Sequence, residues 1–267
     1  MASISHSTLE VFAENKYRPH PIVQKTASEN FERISQTAQF TLSLSSFTKK
    51  EQLDEDYEYG DYSLCQILDT IKVEGKVQQL LELGCGCGRI FRSILQNFST
   101  YFDGIAVDAK RPTALNEPQY VIGNAEMISE IPQLHDRRFK VIFSRATFRH
   151  FVDPLRAVIE AYEKLEKDGI LLIDQVIFPG LHGYEKTLLF WLNTNGYIAY
   201  ADVSIKRGVF NHFMIIKTKE RLELPIFYHS ERPLVFGSAY YEVQGLEKKD
   251  SDDDFGISFL MERLLIG

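Results

Sequence analysis

No stretch of the sequence approaches the roughly 18 consecutive apolar residues of a membrane span. Residues 1–30 are polar throughout and hold no apolar core of the kind a secretory leader carries. Position 2 is Ala2, so the pattern for myristoylation is missing as well. A soluble, cytoplasmic protein is therefore expected. A basic excess is also lacking: 30 Lys and Arg stand against 37 Asp and Glu, a formal net charge of -7. Neither a nucleic acid nor an anionic membrane is expected as a partner. Only three cysteines occur, Cys65, Cys85 and Cys87, too few for a disulfide framework. Cys85-x-Cys87 has no second ligand pair, so no metal is expected.

What is present is material for one full α/β core: 267 residues, 44% of them hydrophobic. The chain is organised around Leu80-Leu81-Glu82-Leu83-Gly84-Cys85-Gly86-Cys87-Gly88-Arg89-Ile90. An apolar run meets three alternating glycines and then an amphipathic segment, the pattern of a strand, a tight turn and a helix start. Such a loop lets backbone close against a nucleotide-like ligand, with the helix N–H groups pointing back at it. A dinucleotide fingerprint would need glycine at position 89, which is Arg89, and no Gly-Lys-Ser or Gly-Lys-Thr follows to make a P-loop.

Alternation of strand and helix patterns continues to residue 219. Strands are expected at 79–83, 101–107, 119–122, 140–143, 170–176, 197–205 and 209–217. Helices are expected at 62–71, 88–98, 113–117, 125–130, 153–167 and 184–195. This predicts a mainly parallel, doubly wound sheet with helices on both faces. Only Lys206-Arg207-Gly208 separates the last two strands, too short for a crossover, so they form an antiparallel hairpin. Three units are expected: a cap or lid over 1–61, the core over 62–219, and an extension over 220–267. Within the first, helical segments are expected near 27–38 and 47–54, and Arg18-Pro19-His20-Pro21 breaks any helix there. The Asp250-Ser251-Asp252-Asp253-Asp254 run is read as a solvated loop. The apolar end beyond it is read as packing on the core or on a second copy in a homodimer.

The Glu82-x-Gly84-x-Gly86-x-Gly88 spacing resembles the first motif of class I S-adenosylmethionine-dependent methyltransferases. Seven strands ending in a hairpin agree with that Rossmann-like family. Downstream, Arg149-His150-Phe151-Val152-Asp153-Pro154, then an amphipathic helix and Glu166-Lys167-Asp168-Gly169, resemble the stretch that follows the fourth strand in small-molecule methyltransferases. The resemblance spans about residues 62–218. It implies S-adenosylmethionine as cofactor, S-adenosylhomocysteine as product, and a small-molecule methyl acceptor.

Ligands in open α/β sheets sit at the carboxyl ends of the strands, which names the remaining residues. Asp108, with Ala109 after it, ends the second strand and is expected to accept from ribose hydroxyls. Asn124 and Ala125 follow the third strand; the resemblance implies that the Asn124 amide oxygen accepts from the adenine amino group, and Asn124 also suits a helix cap. Glu82 is aimed either at the cofactor's amino group or at the loop's own N–H groups. With Gly84, Cys85, Gly86 and Gly88, and with Ser144 and Arg145 after the fourth strand, these make the expected cofactor site. Tyr17, Arg149, His150 and His182 are expected at the acceptor, together with Asp174, Gln175 and Tyr184. His150 is the expected general base, with structural and substrate-contact roles as alternatives. His212 is read as core or surface. A non-catalytic adenosyl-binding scaffold and a protein or RNA methyltransferase stay open as alternatives.

Overall fold

The computed structural model describes residues 9–16, 21–37, 58–59, 62–110, 119–176, 185–204 and 209–229. In chain order these form β1 (Leu9–Lys16), α1 (Pro21–Thr37), β2 (Glu58–Tyr59), β3 (Tyr62–Ser63), α2 (Leu64–Ile71), β4 (Gln78–Leu83) and α3 (Arg89–Phe98). They continue with β5 (Phe102–Asp108), β6 (Tyr120–Ile122), β7 (Phe139–Arg145), α4 (Pro154–Lys164), β8 (Leu165–Val176), α5 (Glu185–Thr194), β9 (Ile198–Ser204), β10 (Val209–Ile216) and β11 (Pro225–His229).

Seven strands make one sheet in the order β6-β5-β4-β7-β8-β10-β9. The pairs from β6 through β8 are parallel, and β10 runs against both of its neighbours. Strand order reverses between β4 and β7, the place where an open α/β sheet leaves a crevice at its carboxyl edge.

Central strands are apolar on both faces, as a doubly covered parallel sheet requires. Leu81, Val107, Ile142, Ile173 and Phe213 share one buried cluster with Phe148 and with Tyr162 of α4. Leu80, Phe102, Val141, Phe143 and Leu172 share the other with Leu64 and Leu68 of α2 and with Phe91 and Ile94 of α3. The apolar residues of α3 recur at helical spacing, so that helix turns Ile90, Phe91, Ile94 and Phe98 inward. At this side of the sheet Ser63 closes a capping box with Gln66 at the start of α2.

Several expected boundaries move. α1 starts at Pro21, which takes the first helical position where its missing N–H is no loss, so the proline-rich break ends there. Helix 125–130 is replaced by two single 3-10 turns, Ile128–Glu130 and Pro132–Leu134, because the Glu126 side chain is drawn inward and Pro132 interrupts the ladder. α4 stops at Lys164, whose ammonium donates to Leu134 O and His135 O, and Leu165 is already paired with Phe139. The expected turn 166–169 lies within β8, with a register shift opposite and Asp168 at φ 57°. The segments at 47–54 and 113–117 and the acidic run lie outside the described residues. Outside the seven-stranded sheet, β1 and β11 form a two-stranded sheet of their own. β1 pairs antiparallel with β11, and α1 packs Ala27 against Val152 beyond β7. Among the described residues no helix is long and apolar enough to cross a membrane.

Candidate cofactor site

Each glycine of the loop after β4 answers a different requirement. A Cβ at Gly84 would lie 2.1 Å from Thr147 Oγ1, so the turn after β7 closes directly on it. A Cβ at Gly88 would lie 2.4 Å from the Tyr120 hydroxyl. Gly86 has φ +53° and nothing within 4 Å of that position, so its bare face looks onto open space. It alone of the three is free of protein on that side, the property a ligand seat needs.

The loop is fixed by β5. Gly84 and Cys85 donate their amides to Val107 O at 2.8 and 3.1 Å, and Gly86 donates to Asp108 Oδ2 at 2.7 Å. The Asp108 carboxylate also accepts from the amides of Ala109 and Lys110, yet burial dominates and holds its pKa above the usual carboxylate value. Glu82 is 2% exposed and accepts from Phe91 N at 3.2 Å, so it caps the first turn of α3. Burial pushes its pKa well up, and the neighbouring Asp108 charge pushes the same way.

Asn124 stands at the next tip. Its Oδ1 accepts from Glu126 N at 3.0 Å, and Nδ2 is buried without a partner. The oxygen keeps a second lone pair for the expected acceptance from an adenine amino group, and Nδ2 is a donor. It matches a ring nitrogen of adenine, an acceptor.

Sequence reading missed Glu126 and Thr147. Glu126 is 1% exposed, accepts from Val152 N at 3.1 Å, and is in close hydrogen-bond contact with Asp153 N. Burial pushes its pKa up to about 8 against those two donors. It ties the tip of β6 to the cap of α4, where Asp153 accepts from Arg156 N and Pro154 follows. Thr147 places its hydroxyl 3.2 Å from Gly84 O and 3.1 Å from Arg145 O. The only advance signal for Glu126 was its place two residues after Asn124; Thr147 had none.

The other expected residues divide. Cys85 and Ala125 are buried in protein, and burial raises the Cys85 thiol pKa far above its usual value. Ser144 is fully buried and donates to Leu83 O at 2.8 Å, tying β7 to β4. Ala109 is half-buried beside Asp108. Arg145 Nε lies 3.6 Å from Asp174 Oδ2, so that guanidinium is paired within the sheet edge. His150 lies on the turn Phe148–His150, where its carbonyl accepts from Asn30 Nδ2 of α1 at 3.0 Å. Tyr17, His182 and Tyr184, and the side chains of Arg149 and Gln175, lie outside the described residues.

The residues fit an adenosyl cation: an open glycine face, a strand-tip carboxylate beside it, an unused buried amide donor, and two carboxyls that a positive ligand would favour in their charged form. Residues 81–173 match the model of a methyltransferase domain. No curated protein sequence matches the chain. Among solved structures, the plantazolicin methyltransferase BpumL in complex with S-adenosylhomocysteine is 14% identical, covering 73% of this chain and all of that one, with a TM-score of 0.42. A methyltransferase from Pyrococcus furiosus is 16% identical over 56% of this chain and 79% of its own, with a TM-score of 0.37. The CMeT domain of the citrinin polyketide synthase is 15% identical over 59% and 50%, with a TM-score of 0.42. The stretch from β4 into β8, residues 81–173, is thus similar to a methyltransferase domain.

Proposed function

We propose that the protein methylates a small molecule, and that the tips of β4, β5 and β6 hold S-adenosylmethionine. When bound, the sulfonium supplies an electrophilic methyl group. Gly86 offers the bare backbone face, Asp108 takes the ribose hydroxyls, Asn124 donates to the adenine ring, and Glu82 supplies negative charge from beneath the loop. Orientation of the two reactants is then the main task, worth up to ~7–11 kcal/mol of a barrier.

The observation that carries the small-molecule reading is the seat of α1. Ala27 packs on Val152, and Asn30 reaches the His150 carbonyl, so a helix lies across the turn leaving β7. In this reading α1 belongs to a lid that narrows access to the acceptor side, and the net charge of -7 gives an RNA acceptor no attraction. The test is calorimetry on the full chain with S-adenosylmethionine, S-adenosylhomocysteine and NAD, followed by incubation of cell extract with methyl-labelled donor. Binding of the first two and label in the low-molecular-weight fraction are expected. Binding of NAD alone refutes the cofactor, and label confined to protein or RNA refutes the acceptor class.

A further inference from the structure

The loop after β4 carries two thiols, one on either side of the glycine whose bare face is open. Cys85, Gly86, Cys87 and Gly88 form a single turn, closed by Gly88 N donating to Cys85 O at 2.8 Å, and Gly86 takes a positive φ inside it. Two steps of ~3.8 Å bent by such a turn bring the Cα atoms of Cys85 and Cys87 to about 5–6 Å, inside the roughly 4.4–6.8 Å that a disulfide spans. The Cys85 sulfur lies 3.9 Å from Gly86 O, so it faces the peptide that joins Gly86 to Cys87. The two thiols differ in access. Cys85 is 8% exposed and belongs to the cluster with Leu64, Phe91 and Phe143, whereas Cys87 is half-buried. Burial also raises the Cys85 thiol pKa, and the Glu82 and Asp108 carboxylates push the same way. An incoming reagent therefore meets Cys87 first, with Cys85 as the neighbouring thiol. The third cysteine, Cys65, is fully buried in α2.

We propose that Cys85 and Cys87 are a modification site: a small disulfide oxidises them to a reversible bridge across Gly86, and the bridge closes the cofactor seat. The second half rests on the placement of the adenosyl group given above. In the first step the Cys87 thiolate attacks one sulfur of the small disulfide, whose S–S bond breaks and releases one thiolate. In the second, Cys85 gives its proton to solvent, bonds to the Cys87 sulfur and expels the other thiolate. The two cysteines lose two electrons, and the small disulfide is reduced to two thiols. An added thiol reverses both steps. Closing the bridge draws the Cys85 sulfur out of its apolar cluster and turns the peptides on both sides of Gly86. One of these carries the amide that Asp108 holds at 2.7 Å, so the bridge loosens the glycine loop from the tip of β5.

The experiment treats the full chain with oxidised glutathione, alkylates the remaining thiols and weighs the tryptic peptide 77–89, which holds both cysteines between Lys76 and the cut after Arg89. Loss of two hydrogens with no alkyl label is expected, undone by dithiothreitol. Calorimetry on the oxidised protein should show a Kd for S-adenosylhomocysteine weaker by roughly tenfold or more. Cys87→Ser should bind as the reduced, unmodified protein does and keep that affinity through the same treatment. The proposal is overturned if both thiols still alkylate after treatment, if Cys87 stays as a mixed disulfide with glutathione, or if the bridge runs to Cys65. It is overturned equally if oxidation leaves the Kd unchanged, or if Cys87→Ser loses affinity on treatment. Failure of S-adenosylhomocysteine to bind the reduced, unmodified protein would instead refute the cofactor reading.

Discussion

Gly86 donates its amide to the carboxylate of Asp108 at 2.7 Å, so the glycine loop is fastened to the tip of β5 by the protein's own groups. The fastening continues along the edge. Gly123 donates to Asp108 O, Glu126 N to Asn124 Oδ1, and Val152 N to the Glu126 carboxylate. Four strand tips thus share one hydrogen-bonded series. A site arranged this way loses little entropy when it meets its ligand.

The three glycines separate stability from binding. Gly86→Ala adds a Cβ that meets no atom, so its stability cost should be only the backbone strain of about 1–2 kcal/mol. Cofactor binding should nevertheless fall by at least tenfold, because the added methyl occupies the open face. Gly84→Ala meets Thr147 and should destabilise more, with a part recovered in a Thr147→Gly background. Thermal melts with calorimetry on each variant check both statements.

Glu126 gives the fold a pH dependence of known sign. Its pKa is about 8 in the folded chain against an ordinary 4.5. Below 4.5 both states hold the proton. Between 4.5 and 8 only the folded state keeps it, so stability falls as pH rises, by up to about 1.4 kcal/mol per pH unit for one proton. Above 8 the effect levels off. Glu126→Gln should lose about 1–3 kcal/mol, because its amide group opposes one of the two N–H donors, and the pH-dependent difference between the proteins should follow this shape. Chemical denaturation from pH 5 to 9 measures it.

The limits of the seven sheet strands were legible to within two residues, except at the start of β8, five residues earlier than expected, because runs such as 141–143 are apolar on both faces. The hairpin was legible because three residues cannot hold a crossover. Asp153-Pro154 announced a helix start. Glu126, Thr147 and the fit of Tyr120 against Gly88 were not legible, since each depends on contacts between segments 26 to 63 residues apart. Asn124 illustrates the middle case: its position was readable, but that the fold leaves its buried Nδ2 without a partner was not.

Charge at the cofactor site should couple binding to protons. Burial raises the pKa of both Glu82 and Asp108, so the unliganded protein holds protons there above the ordinary carboxylate range. A cation favours the ionised forms. Affinity for S-adenosylmethionine should therefore increase with pH through that range, by at most about tenfold per unit for each linked proton. S-adenosylhomocysteine, with a neutral sulfur, should gain less, so preference for the methyl donor grows with pH. Titrations in two buffers of different ionisation enthalpy would register the released protons.

The central claim concerns where an adenosyl group lies, and a crystal structure of the full chain with S-adenosylhomocysteine addresses it most directly. The expected result is ribose hydroxyls within hydrogen-bond distance of Asp108, the adenine edge beside Asn124, and the bare face of Gly86 covered. An adenosyl group seated over β8 and β10, or Asp108 touching no part of it, would contradict that placement.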